Sequence, residues 1–212
     1  LYRMKSRILA TLFAAVFIAM LGIGVIIPVL PQLAVQLGAG GFALGVITAA
    51  FSLSRGLLQP LVGDWSDRRG RKRFIVVGLV IYGIVGLLVP LAQSVPHLVY
   101  IRILQGMGAA MIVPSVLAII RITFEDWKER AMALGIWGTV STVAAAMGPL
   151  AGGLLLEHFW WGSVFLINVP IILGILPLAA MLLPKPQVKM RGSWPIGQAL
   201  TLAAGLMATV YA

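Results

Sequence analysis

The sequence predicts an all-α membrane protein, a six-helix N-terminal bundle followed by a partial seventh transmembrane helix. Of the 212 residues, 60% are hydrophobic and 10% are charged, whereas about a quarter of the residues in a typical soluble domain are charged. Apolar runs such as IVVGLVIYGIVGLLV show no alternation of polar and apolar residues, which excludes the strands of a membrane barrel. Helices remain, because a helix satisfies its own backbone hydrogen bonds in lipid.

The first two spans lie in residues 8–54, where no side chain is charged. Because each crossing uses about 20 apolar residues, six or seven crossings fit this length and twelve do not. A stretch rich in Pro, Gln and Gly at 31–41 predicts the turn between spans at 8–30 and 43–62. Four further apolar runs predict the other spans of a bundle that covers residues 1–183. They lie at residues 74–92, 98–120, 131–156 and 163–183.

A cytoplasmic loop at 184–194 and the start of a seventh span at 195–212 complete the predicted organisation. The orientation follows from charge, since fourteen of the 16 Lys and Arg residues precede span one or follow spans two, four and six. The alternate loops contain none, which predicts a multi-pass protein of the bacterial cytoplasmic membrane with a cytoplasmic N-terminus. This distribution also explains the net charge of +10 without a nucleic-acid partner.

Side chains for catalysis or metal binding are scarce. The chain has no Cys and two His, so disulfides, thiolate metal sites and histidine clusters are excluded. No pairing of nucleophile and base is visible. We therefore expect no enzyme activity, no cofactor and no metal, and we expect membrane lipid and a small-molecule substrate as partners.

The loop after span two has the most informative spacing in the chain. Gly63 would let a neighbouring helix approach, Gly70 would permit a turn with positive φ, and Asp67 can cap a helix or pair with Arg. Composition alone would make this a basic loop that only fixes topology. The spacing G-x-x-x-D-R-x-G-R-[KR], however, resembles the characteristic loop of the major facilitator superfamily. Its positions are occupied by Gly63, Asp67, Arg68, Gly70, Arg71 and Lys72.

In that family the loop latches the N-terminal bundle to the C-terminal bundle on the cytoplasmic side. The resemblance therefore implies a C-terminal half that these 212 residues lack.

Arg102 lies four residues inside predicted span four, where a cation costs at least about 2.5 kcal/mol near the bilayer centre. Its side chain either snorkels to the outer interface, about 6 Å away along the helix, or faces a polar cavity with Gln105. Gly106 and Gly108 offer a small-residue packing face. The pattern L-x-x-x-R-x-x-Q-G-x-G-A-A resembles a second motif of the same family, whose Arg is implicated in proton transfer. Arg55 in span two is a further candidate for coupling, although snorkelling towards the cytoplasm accounts for it equally.

Pro149 predicts a kinked or pliant segment in span five, because proline removes a backbone hydrogen bond. Gly148, Gly152 and Gly153 give this segment a flat face, and generic packing is the simpler explanation. The segment is similar to the G-x-x-x-G-P-x-x-G-G antiporter motif of the facilitator drug exporters, with Ala144 in place of the first Gly.

The start of span six resembles fourteen-span multidrug exporters. Trp161, Asn168 and Pro170 match W-x-W-x-F-x-I-N-x-P, with Ser163 replacing the second Trp, and the Trp residues fit an interfacial aromatic belt. The first span, with Pro28, looks more like twelve-span drug and tetracycline exporters, so the two resemblances together suggest a mosaic of the two types.

The resemblance implies a drug:proton antiporter that exports lipophilic compounds by alternating access, with substrate at the midplane between spans one, two, four and five. Two alternatives stay open. One is a non-transporting membrane fragment or packing module that self-associates. The other is a carrier for a small anionic solute, because none of the six acids lies within a predicted span. Related exporters carry an acid in span one, where this chain has Ala19 and Met20.

Overall fold

The computed structural model describes residues 2–183, which form helices and turns and contain no strand. This confirms the all-α prediction for the described residues, and the predicted loop at 184–194 and seventh span at 195–212 lie outside them. Within these residues, eight α-helices and one 3-10 turn at Val89–Leu91 follow one another. The helices are α1 (Tyr2–Gly24), α2 (Ile26–Leu37), α3 (Gly41–Arg69), α4 (Arg71–Leu88), α5 (Val95–Thr123), α6 (Trp127–His158), α7 (Ser163–Leu166) and α8 (Asn168–Leu182).

Six helical stretches in the described residues are long and apolar enough to cross a membrane. All six predicted spans are present, and most continue further towards the loops than the hydropathy pattern indicated. The stretches are Ser6–Leu33, Gly41–Arg69, Arg71–Leu91, Val95–Thr123, Trp127–His158 and Ser163–Leu182.

The turn between the first two spans lies later than predicted. Helix α2 continues through Pro31 to Leu37, and the turn begins at Gly38, whose φ of 60° is left-handed. The first span is instead interrupted at Val25. Because Pro28 has no N–H, it cannot donate to the carbonyl of Gly24 four residues earlier, and the helix breaks there.

The loop between spans two and three is reduced to Gly70. Its φ of 100° and ψ of 112° place it outside the helical region, where a residue without Cβ is least strained. Most of the predicted latch residues therefore lie on the last turns of α3 and the first turn of α4, and not in a flexible loop.

Helix α5 is the centre of the bundle and packs against α3 and α4, while α1 packs against α6 and α4 packs against α8. The buried apolar side chains form two clusters. One includes Ile75, Ala109 and Ile120 in the half predicted to be cytoplasmic, and the other includes Val89 and Ile101 in the opposite half. Arg102 and Gln105 of α5 lie at the boundary between them, in the N-terminal half of the span.

Candidate functional site

Arg102 faces the interior of the bundle. Only 1% of the residue is exposed, and its Nη1 donates a hydrogen bond of 2.7 Å to Oε1 of Gln105. Its Cζ lies 4.7 Å from the ring centre of Phe51 on α3 and 5.9 Å from that of Phe165 on α7. Aromatic faces attract cations, so these rings offset part of the cost of burial. The snorkelling explanation for Arg102 is therefore wrong.

Tyr82 of α4 is the residue of this site that the sequence analysis missed. It is fully buried, and its hydroxyl lies beside Gln105 and within electrostatic range of Arg102 and Arg55. A methyl group at Gly22 of α1 would collide with that hydroxyl, so α1 closes the site on this side. The available signal was a lone hydroxyl in the otherwise apolar run of span three.

Arg55 does not reach towards the cytoplasm. Its Nη2 lies 3.8 Å from Sδ of Met20 on α1, so the side chain crosses the middle of the bundle. The snorkelling prediction took the helix to end near residue 62, whereas α3 continues to Arg69. The 14 residues from Gly56 to Arg69 correspond to roughly 21 Å of helix, which is beyond the reach of an arginine side chain.

The glycines of α5 bring its neighbours close to Arg102. A Cβ at Gly106 would lie 2.6 Å from the carbonyl oxygen of Phe51 on α3, and one at Gly108 would lie 3.0 Å from that of Gly78 on α4. Such distances leave no room for a side chain. The absence of side chains at Gly106 and Gly108 thus allows α3 and α4 to pack closely against α5, and α3 holds Phe51 against the guanidinium of Arg102.

The glycines of α6 produce a second close approach, at the break between α1 and α2. A Cβ at Gly148 would lie 2.5 Å from Cα of Gly24, and one at Gly152 would lie 2.7 Å from Cγ of Pro28. Gly153 differs from its neighbour, because a Cβ there would meet no atom within 4 Å. Gly153 therefore lies outside the packing face predicted for it.

Helix α6 continues without interruption through Pro149. The proline ring faces α1, since its Cδ would lie 2.9 Å from a Cβ at Gly24. The segment similar to the antiporter motif is thus the surface on which spans one and five meet.

The ends of α3, α4 and α5 that are predicted to face the cytoplasm are joined through Arg71. Its Nε donates to Oδ1 of Asp67 at 2.7 Å, and its Nη1 donates to the carbonyl oxygen of Ala118 at 3.3 Å. Arg68, in contrast, pairs at 3.0 Å with Asp64 on its own helix. Of these two ion pairs, only that between Arg71 and Asp67 links separate helices.

Two further latch residues, Gly63 and Lys72, lie on α3 and α4. A Cβ at Gly63 would meet no atom within 4 Å, so no described helix approaches it. Lys72 lies half-buried in the first turn of α4. The side of α3 that carries Gly63 is therefore open.

The two tryptophans before span six have different environments. Trp160 is 51% exposed, whereas Trp161 is 6% exposed and packs edge-on against Trp160 and Phe165. Only Trp160 matches the predicted interfacial belt. Trp161 belongs to the core, because it covers the end of the buried cluster that contains Phe165.

Asn168 and Pro170 lie in the first turn of α8. Asn168 is fully buried, and neither of its amide atoms has a partner in the described part of the chain. Pro170 cannot donate to the carbonyl of Leu166, which explains the break between α7 and α8. Within residues 2–183, no group of three or more His, Asp or Glu side chains comes together.

Comparison with known proteins places these features in context. The family model of the Major Facilitator Superfamily matches residues 12–210. Methyl viologen resistance protein SmvA of Salmonella typhimurium is 42% identical over 182 residues, which cover 85% of this chain and 37% of that protein. Multidrug efflux pump LfrA of Mycolicibacterium smegmatis is 41% identical over 139 residues, which cover 66% and 28%.

The chain thus spans less than half the length of these relatives. A crystal structure of a bacterial homologue of the human lysosomal transporter Spinster, inward-facing and unoccupied, has the same fold. Its TM-score is 0.71 at 23% identity, and the match covers 92% of this chain and 47% of that one.

Proposed function

Because the chain belongs to the major facilitator superfamily, we propose that it is the N-terminal bundle of an exporter of lipophilic, drug-like compounds. Membership in this family makes it a multi-pass membrane protein of a transporter family, and not an enzyme. The observation that carries the proposal is the 42% identity to a protein named for methyl viologen resistance. The similarity to a multidrug efflux pump supports the same substrate class.

Transport takes place by alternating access, in which this bundle rocks against a second bundle around a site at the midplane. The faces of α3 and α6 support this role, since large apolar side chains remain uncovered on both. Leu57 of α3 is 70% exposed and Leu150 of α6 is 64% exposed. These helices form spans two and five, so their open faces are available to a second bundle and to an apolar substrate.

Export is coupled to protons, and Arg102 takes part in the coupling. Its support is the burial of a fixed cation inside a membrane-spanning helix, because charged residues buried at such positions usually have a function. The basic loops, and with them the N-terminus, face the cytoplasm. No acid lies near Arg102 in this sequence, so the group that carries the proton belongs to another part of the transporter.

The test uses the full-length protein in lipid vesicles with an imposed pH gradient, and it follows extrusion of a lipophilic cationic dye. We expect Arg102→Ala to reduce coupled extrusion at least about tenfold. Arg121→Ala is the matched control, because Arg121 is an exposed residue at the other end of α5. Yield and gel-filtration profile report insertion and folding.

Unchanged extrusion by the Arg102→Ala protein would reject the role given to Arg102. Absence of gradient-driven extrusion by the unmodified protein, over a panel of lipophilic cations, would reject the proposed function itself.

A further inference from the structure

The cluster around Arg102 contains hydrogen-bond donors in excess of acceptors. Three of its donors have no partner in the described part of the chain, namely Nε of Arg102, Nε2 of Gln105 and the hydroxyl of Tyr82. Each of these residues is at most 1% exposed. Its acceptors are the amide oxygen of Gln105, which already accepts from Arg102, and the hydroxyl oxygen of Tyr82, which lies beside Gln105 and can accept from only one neighbouring donor. Buried polar groups normally have partners, so this arrangement has too few acceptors for its donors.

The cluster also has unbalanced charge. Arginine stays protonated in proteins, and Arg55 adds a second guanidinium, whose Nη2 contacts the sulfur of Met20. Residues 1–63, 68–124 and 130–156, which contain the whole cluster, have no Asp or Glu. The rings of Phe51 and Phe165 attract the Arg102 cation, but they provide no formal negative charge.

A counter-charge from another protein segment cannot reach Arg102 while the bundle is closed. Arg102 is already 1% exposed within this bundle alone, so packing of a second bundle on its outer surface would not touch it. The compensating group must therefore be small enough to reside inside these helices.

We propose that the cluster formed by Arg102, Gln105 and Tyr82 binds a small monovalent inorganic anion. The anion accepts hydrogen bonds from the three unpartnered donors and neutralises the buried guanidinium. The enclosing side chains limit its size, because Phe51 and Phe165 are at most 1% exposed and α1 leaves no space beside the Tyr82 hydroxyl. An organic anion does not fit such an enclosure. The inference concerns occupancy of this bundle and does not rest on the proposed export.

Chloride is the probe, and thermal stability of the purified full-length protein is the readout. Ligands that bind the folded state raise the Tm with their concentration. We expect the Tm in sodium chloride to exceed that in sodium gluconate, at equal ionic strength and pH, by roughly 4 °C or more once the site is saturated. Equal Tm values in the two salts would mean that water satisfies the donors and would overturn the proposal.

Two variants, each of which replaces a neutral glutamine with glutamate, test whether chloride stabilises the protein by binding at this cluster. Gln105→Glu is nearly isosteric and places a carboxylate where the amide oxygen now accepts from Arg102, so the resident anion becomes unnecessary. We expect this variant to lose the chloride dependence and to be more stable than the unmodified protein in gluconate. Gln59→Glu adds the same charge at a half-exposed site on α3, and we expect it to keep the full dependence.

Tyr82→Phe removes one donor and is expected to raise the chloride concentration for half-saturation several-fold. If Gln105→Glu kept the same chloride dependence as the unmodified protein, the anion would bind elsewhere and the proposed site would be wrong. Because the readout is stability, failure of this inference is distinguishable from failure of the proposed transport.

Discussion

At the scale of single residues, the absence of a side chain determines how closely α6 approaches α1. A Cβ at Gly148 would lie 2.5–2.9 Å from backbone atoms of Gly24 and Val25, and a backbone cannot rotate away as a side chain does. We expect Gly148→Ala to lower the free energy of unfolding by about 1–3 kcal/mol, the typical cost of overpacking. Thermal denaturation of the purified protein in detergent measures the change.

The control lies five residues away on the same helix. Gly153→Ala introduces the same methyl group into open space, so the higher helix propensity of Ala leaves stability unchanged or raises it by less than about 1 kcal/mol. Equal losses of stability in the two variants would contradict a specific contact at Gly148.

These glycines also show what a sequence reveals at this scale. Gly152 and Gly153 are adjacent and identical, and the pattern assigned both to one packing face. Which of them touches α1 depends on the rotation of α6, and long-range packing sets that rotation. For the same reason the buried Tyr82 hydroxyl could not be placed beside Arg102, because the two residues lie on different helices.

At the scale of elements, Arg71 connects three helix ends, whereas Arg68 contacts only its own helix. Arg71 bonds to Asp67 of α3 and to the Ala118 carbonyl of α5. We expect Arg71→Ala to lower the free energy of unfolding by about 1 kcal/mol, after allowance for the partial exposure of the ion pair. Arg68→Ala, which removes a pair whose arginine side chain is 55% exposed, should change it by less than about 0.5 kcal/mol.

Chemical denaturation in detergent, with both variants compared in parallel, measures this difference. The account would be wrong if loss of Arg68 proved as costly as loss of Arg71, since both pairs would then contribute only through surface charge.

Helix boundaries were predicted less well than helix number, and proline explains why. The sequence contains Pro28 and Pro31 close together, and the Gly- and Gln-rich composition after Pro31 placed the turn there. In the structure α2 tolerates Pro31 and the chain breaks before Pro28. Hydropathy alone could not separate these cases, because both prolines lie in apolar sequence.

At the scale of the whole molecule, the positive charges predict the orientation of every span. We expect single cysteines at Lys72 and Lys128 to be protected from a membrane-impermeant maleimide in intact cells and to react after permeabilisation. Cysteines at Gln36 and His158, which end the first and fifth spans on the opposite side, should react in intact cells. These 212 residues contain no native Cys, so a full-length protein cleared of other cysteines gives an unambiguous signal.

Protection of position 72 together with labelling of position 128 in intact cells would contradict the orientation, because both loops would no longer share one compartment.

Fold class was accessible from the sequence because lipid permits few solutions: uncharged runs of sufficient length must be helices. The arrangement of the helices was not accessible from the sequence, since spans that are neighbours in the chain seldom form the main packing contacts with each other. Arg102 and Gln105 were recognisable because a charge in an apolar helix is conspicuous. Their enclosure by Phe51, Tyr82 and Phe165, contributed by three other helices, depended on the packing of the bundle.

The contact between Gly24 and Gly148 has a consequence for biosynthesis. A ribosome that adds about 5–20 residues per second needs roughly 6–25 s to make the segment between them. During that interval the nascent first span is already inserted, yet the surface it will bury has no partner. Insertion and assembly are thus separate in time, and the early spans depend on lipid or on the insertion machinery until the fifth span arrives.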